Sequence, residues 1–280
     1  AENQSTDSNR TKSVDQNSEV KEQVRSKDLK ERTNRNSNIK SQSQEPKFSG
    51  KEDLYATIKE ASDLIKQNDF STALEKYKSA LEKALALNDQ RQAAAALNGA
   101  ARALHRLGQN NEALEYIAKA IAINQALKNA HARSLDFLLA GKILLDQGNY
   151  AEALKNFEES IKILPVSELG EMPALLENIA TCQLHLNRYG EAINTYNRLL
   201  ALHAKNGNES ELARINTIVG EIHISRADYK SAKANFKKSE SIYRNLDLKK
   251  ELAQTLFRLA YLEQLQNDFR TAANYIKEGE

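Results

Sequence analysis

Apolar residues follow helical spacing through most of this chain, and the spacing itself recurs. Stretches such as AAAALNGAARALHRL (93–107) and LDFLLAGKILLDQ (135–147) set apolar residues three and four apart, on one face of a helix. A second kind of stretch shares a common frame: NDFSTALEKYKSAL, QNNEALEYIAKAI, GNYAEALKNFEESI, NRYGEAINTYNRLL, ADYKSAKANFKKSE and NDFRTAANYIKEGE. The Ala of that frame falls at Ala73, Ala113, Ala153, Ala192, Ala232 and Ala272, at spacings of 40, 40, 39, 40 and 40. Four residues later stands a bulky group: Tyr77, Ile117, Phe157, Tyr196, Phe236 or Ile276. A small residue followed at i+4 by a large one on the same face lets a neighbouring helix approach. About twelve residues before each framed Ala lies another small residue: Ala61, Ala101, Gly141, Ala180, Gly220 or Ala260. Each unit is therefore predicted to be a pair of helices meeting at small residues.

The link inside the pair has its own chemistry. Asn68, Gly108, Gly148, Asn187 and Asn267 accept the left-handed conformation that ends a helix. Asp69, Asn149, Asp228 and Asp268, one place on, can cap the next helix. Ala227 breaks this rule in the fifth unit.

Residues 1–50 behave differently. Their few apolar residues hold no sustained helical spacing, and the rest is Asn, Ser, Gln, Thr and mixed charge. Such a segment buries too little surface to offset chain entropy, so a disordered tail or linker is expected. Its ten Lys and Arg against eight Asp and Glu make it no strong polyanion-binding arm.

Composition agrees with helices and narrows the function. Of 280 residues, three are Pro and none is Trp, while aromatics total 6 %. A net charge of +2 gives no concentrated basic surface, so nucleic acid is not an expected partner. No apolar run approaches the roughly 20 residues that cross a bilayer. The single cysteine, Cys182, cannot form an intramolecular disulfide and leaves the redox compartment open.

The frame resembles the tetratricopeptide repeat in a long, forty-residue variant, over residues 51–280. The turn aromatic of that family is matched by Phe70, Tyr150, Tyr189, Tyr229 and Phe269. Its second small residue is matched by Ala80, Ala120, Ser160 and Ser239, and its closing proline by Pro165. The early aromatic of the first helix survives only as Phe137, and Leu199 replaces the second small residue of the fourth unit. The resemblance implies an all-α, right-handed solenoid of about six units (52–88, 90–128, 130–167, 170–207, 209–247 and a shortened 249–280) with a concave groove. It also implies a protein or peptide partner lying in that groove, against positions flanking the small residue of each first helix. Those positions are Lys66, Asn98, Arg102, His105, Arg106 and Lys142 in a basic half, and Glu177, Asn178, His185 and Glu221 in a more acidic half. An extended or helical peptide with its acidic end over the first three units would match such a gradient. The paired Lys and Asn pattern that some members use to clamp a C-terminal carboxylate is not reproduced.

Catalysis leaves no comparable trace. There is no GxSxG, GxxxxGK[ST], GxGxxG or HExxH, and no metal or cofactor is expected. Cys182 and His185 share a helix face but make only two ligands, so Cys182 reads as a packed small hydrophobe. The leading expectation is a non-enzymatic binding module, the recognition or sensory part of a larger bacterial signalling protein. The rival expectation is an exported cell-envelope scaffold or adaptor. The start at Ala1 suits a mature exported chain and favours a periplasmic or extracytoplasmic location over a cytoplasmic one.

Overall fold

The computed structural model describes residues 46–163 and 172–280. The polar tail, up to residue 45, and Pro165 lie outside the described residues. Those residues hold twelve helices and no strand: α1 (Pro46–Lys66), α2 (Phe70–Ala86), α3 (Gln90–Arg106), α4 (Asn110–Ala126), α5 (Ala130–Asp146), α6 (Tyr150–Ile163), α7 (Met172–His185), α8 (Tyr189–Lys205), α9 (Glu209–Ser225), α10 (Tyr229–Asn245), α11 (Lys249–Leu265) and α12 (Phe269–Gly279). Helix α1 begins at Pro46, slightly ahead of the expected boundary. Contacts divide the chain between Lys59 and Glu60, and the repeats from Glu60 onward form one all-α solenoid.

The forty-residue period has a simple origin. Helices α2 to α5 and α8 to α11 are each 17 residues long. A three-residue turn follows each of these eight and also α1 and α7, and its middle residue has positive φ: Asn68, Asn88, Gly108, Lys128, Gly148, Asn187, Gly207, Ala227, Asp247 and Asn267. Thus the turn between units uses the same left-handed conformation as the turn within one. In the turn after α3, Gly108 N donates to His105 O at 3.0 Å and Gln109 N to Leu104 O at 2.9 Å, so the last carbonyls of the helix are satisfied. Asp69, Asp228 and Asp268 then cap the following helices, accepting from the backbone N–H of Thr72, Ser231 and Thr271.

The small residues admit aromatic rings. A Cβ at Gly141 would stand 2.5 Å from Cε1 of Phe157, and one at Gly220 would stand 2.5 Å from Cε1 of Phe236. In the second unit the close approach falls at Gly99 instead, where the Tyr77 ring arrives from the preceding unit. The core is shared between units rather than enclosed within them. Ala153, Phe157 and Leu154 of one unit pack with Leu175, Ile179 and Cys182 of the next. Tyr196 and Leu199 pack likewise with Ile215 and Val219, and Phe236 packs with Leu256 and Leu259. Ser160 and Ser239, which stand where the first two units carry Ala80 and Ala120, bond to the backbone of their own first helix: Ser160 Oγ donates to Ser134 O at 2.9 Å and Ser239 Oγ to Ala213 O at 2.8 Å. Each buried hydroxyl therefore has a partner.

Candidate binding groove

Successive first helices lie side by side, and polar side chains join them. His105 Nε2 meets Asp146 Oδ2 at 3.1 Å between α3 and α5, Glu177 of α7 pairs with Arg214 of α9, and Arg258 Nε of α11 donates to Glu221 Oε1 of α9 at 2.5 Å. Asn98 and Glu177 stand three residues before the framed small residue, and Arg102, Lys142 and Glu221 stand one after it. These positions project along the line of first helices, so whatever occupies them meets the next unit or a ligand.

Over the second and third units the line opens into a groove of about 730 Å3, formed by α3 and α5 and closed by Ala174 of α7. Its apolar wall includes Ala94, Ala132, Leu135 and Leu139. Three exposed cations stand around it, Arg91, Arg102 and Lys142, and among the described residues none of them makes an ion pair. Deeper in lie Asn98, Asn124 and Asp136. Asp136 is 1 % exposed; its two carboxylate oxygens each accept from one amide, Asn98 Nδ2 on Oδ1 and Asn124 Nδ2 on Oδ2, both at 2.7 Å. Burial pushes the Asp136 carboxyl above its ordinary range, and the two amides work against that rise.

A second, smaller groove of about 140 Å3 lies between α9 and α11. It is charged but balanced. Arg214 bonds both Glu177 and Glu211, and Arg258 bonds Glu221. Burial works against the charge on Arg214, yet the two carboxylates outweigh it and hold the guanidinium above its usual range.

The structure thus gathers Asn98, Arg102 and Lys142 at one groove and disperses the other expected site residues. Lys66 is exposed and pairs with Asp63 at 2.8 Å. His105 bonds Asn110 and Asp146, and Arg106 lies 5.1 Å from the centroid of the Phe70 ring. His185 stacks flat on Tyr150, with ring centroids 4.0 Å apart. Arg106 and His185 hold the same repeat position, and each covers the turn aromatic of the preceding unit, a packing role. Glu177 and Glu221 carry arginine partners, and Asn178 is half-buried. Cys182 is fully buried, and burial pushes its thiol up to about 11, which suits the packed hydrophobe expected of it. Among the described residues no cluster of His, Cys, Asp and Glu could hold a metal ion, and no helix is long and apolar enough to cross a membrane.

Sequence reasoning missed Arg91, Asn124 and Asp136, although one signal was present. Five residues before the framed small residue the other units from the second onward carry Ala96, Leu175, Ile215 and Thr255, all buried. Asp136 is the charged exception in that column. A lone carboxylate in a buried column requires donors, and donors mark a polar floor.

The sequence model of the family described as tetratricopeptide repeat matches residues 91–166 and 132–205. No curated protein matches the chain. Similar solved structures include nearly identical TPR-like repeats from Podosopora anserina, with TM-score 0.58, 17 % identity, and 69 % of this chain and 96 % of that one covered. The apo form of RapI has TM-score 0.60 at 16 % identity, covering 90 % of this chain and 79 % of that one. PilF of Pseudomonas aeruginosa has TM-score 0.55 at 18 % identity, covering 81 % and 90 %. At these identities the likeness establishes the fold.

Proposed function

Because the chain belongs to the tetratricopeptide-repeat family, whose fold generally serves as a non-catalytic scaffold, we propose that it binds an acidic peptide segment in the groove between α3 and α5. One observation carries the reading: Arg91, Arg102 and Lys142 surround an apolar-walled groove and, among the described residues, have no acidic partners of their own. In the later units Glu177 and Glu221 pair with Arg214 and Arg258 of neighbouring first helices, whereas among the described residues no such pair accounts for the three cations here. Carboxylates of a ligand would complete them, and the apolar wall would receive a side chain between those carboxylates. In this reading the chain is non-enzymatic and acts as the recognition part of a larger signalling assembly.

The test is selection from a displayed library of acidic decapeptides against the full chain. Arg102→Glu combined with Lys142→Glu should weaken the selected peptides by tenfold or more, with melting close to wild type, because exposed substitutions usually shift stability by within about 0.5 kcal/mol. Affinity should also fall as salt rises, since exposed charges are screened over about 8 Å at physiological ionic strength. Selected peptides indifferent to the double substitution would place binding elsewhere.

A further inference from the structure

The polar trio that floors the groove determines what the groove can read, in a way that its cations do not. An ionised carboxylate offers acceptors only. With Asp136 between them, Asn98 and Asn124 must each turn their NH2 group toward it, as the two 2.7 Å bonds show. An amide that commits its donor end inward leaves its carbonyl oxygen facing the other way. Both residues line the groove, and among the described residues no side chain or backbone group bonds either Oδ1. Asn124 is 3 % exposed and Asn98 half-buried, so these oxygens meet the space of the groove they line more than bulk water.

We infer that Asp136 is a positioning residue that makes the floor of this groove an acceptor of N–H groups while its rim binds carboxylates. The inference rests on the peptide reading above and sharpens it. A ligand that satisfies both layers carries N–H donors a few ångströms from a carboxylate, as the backbone of an acidic peptide does. Phosphate or a simple dicarboxylate meets the rim and offers no N–H donor to the two amide oxygens, a loss typical of sites built around hydrogen bonds that the ligand cannot make. Asp136 itself has no need to touch the ligand. It acts through the two amides whose orientation it holds, at a register position where every other described unit from the second onward carries Ala, Leu, Ile or Thr.

The tightest peptide from the acidic library is remade with each backbone nitrogen methylated in turn and measured against the full chain. Methylation at one or two neighbouring positions should weaken binding tenfold or more, and succinate and inorganic phosphate should not compete at concentrations where the peptide saturates. Asp136→Asn keeps the shape but offers an amide, so one neighbour can turn over; the position dependence should then shrink to less than threefold. Without ligand, the side-chain amide protons of Asn98 and Asn124 should be shifted downfield and slow to exchange in the wild type, an NMR signature that holds even where the variant fails to fold. A flat methylation scan together with loss of binding in Arg102→Glu/Lys142→Glu would leave the peptide reading standing and remove the acceptor floor. Amide signals like those of free asparagine would overturn the hold of Asp136 on the two amides itself. A library without binders would overturn the peptide reading and this inference with it.

Discussion

The second and third units and the fourth to sixth units are built on one frame and carry opposite arrangements of charge. In both regions an aromatic ring of the second helix rests on a small residue, Phe157 at Gly141 and Phe236 at Gly220. In both, first helices lie in line and polar groups bridge them. The later units spend their charges on each other, Glu177 with Arg214 and Glu221 with Arg258, and the space between α9 and α11 shrinks to about 140 Å3. The earlier units give one bridging carboxylate, Asp146, to His105 and the other, Asp136, to two amides, so among the described residues Arg91, Arg102 and Lys142 stay without an ion pair beside about 730 Å3. Charge content alone would not separate these regions. What separates them is whether the carboxylate at a bridging position meets a guanidinium or an amide.

The comparison assumes common packing, and that can be broken hardest at the glycines. Gly220→Leu drives a side chain into the Phe236 ring, which has no open side within its buried cluster. Overpacking of this kind typically costs about 1–3 kcal/mol. Gly141→Leu should cost a similar amount against Phe157, and melting curves of the two variants would compare the regions directly. A large loss at one and tolerance at the other would mean that the two regions do not share a packing frame.

Charge can be moved next. Glu177→Gln with Glu221→Gln removes two of the carboxylates that hold Arg214 and Arg258, leaving Arg214 only its neighbour Glu211. Acidic decapeptides should then gain a second, salt-sensitive site of lower affinity over α9 and α11, seen as a change in stoichiometry by calorimetry. Stability should change by less than about 1 kcal/mol, because half-exposed ion pairs contribute little on balance. If stoichiometry stays at one while the pairs are broken, groove volume rather than free charge decides where a ligand sits.

Most of the fold was legible in the sequence because the repeat states it six times. A residue such as Ala113 or Ala153 is ambiguous alone, but a series spaced by forty is not. The turns between units were less legible, since Asn88, Lys128, Gly207 and Asp247 share a backbone conformation and no chemistry. The groove was legible only in part. Position in the frame located Asn98, Arg102 and Lys142, because direction from a helix axis follows from register. Register could not tell that Arg106 and His185 would lie over aromatic rings, or that Glu177 and Glu221 would find arginines. Those outcomes depend on the reach of long side chains across an inter-helix gap, which spacing does not encode.

Asp136 offers a milder probe of the same contrast, through pH. Its carboxyl is held above the model-compound value of 3.8, chiefly by burial, so the folded chain holds that proton more tightly than the unfolded chain does. The resulting stability is fully present below 3.8 and is lost as pH rises through the folded-state value. Asp136→Asn lacks that loss. Its stability relative to wild type should therefore rise with pH across this acid window and level off above it, with a slope of at most about 1.4 kcal/mol per pH unit for a single proton. A difference that is constant with pH, or that runs the other way, would show that the two amides outweigh burial.

The smallest effect concerns the turns, where the two regions also differ. The inner turns of the second and third units carry Gly108 and Gly148, with φ near +77° and +75°, while the fifth unit carries Ala227 at φ 55°. Every L-residue with a Cβ is strained in the left-handed region, and glycine is not. Ala227 N donates to Ile224 O at 2.8 Å and Asp228 N to His223 O at 2.9 Å, so the turn is a complete helix stop whose hydrogen bonds hold the alanine there. Replacing it with glycine removes the steric term but gives the unfolded chain more freedom, and the two act in opposite directions. Strain in the left-handed region, about 1–2 kcal/mol per residue, exceeds the typical entropic term of about 0.4–1 kcal/mol, so Ala227→Gly should stabilise by roughly 0.5–1 kcal/mol. Gly108→Ala, made at an inner turn of the other region with nothing within 4 Å of the new Cβ, should destabilise by a similar amount. Chemical denaturation of both variants checks the pair: equal and opposite shifts mean that the turns of the two regions are interchangeable, whereas an Ala227→Gly variant no more stable than wild type means that the fifth turn draws its stability from contacts the alanine methyl makes.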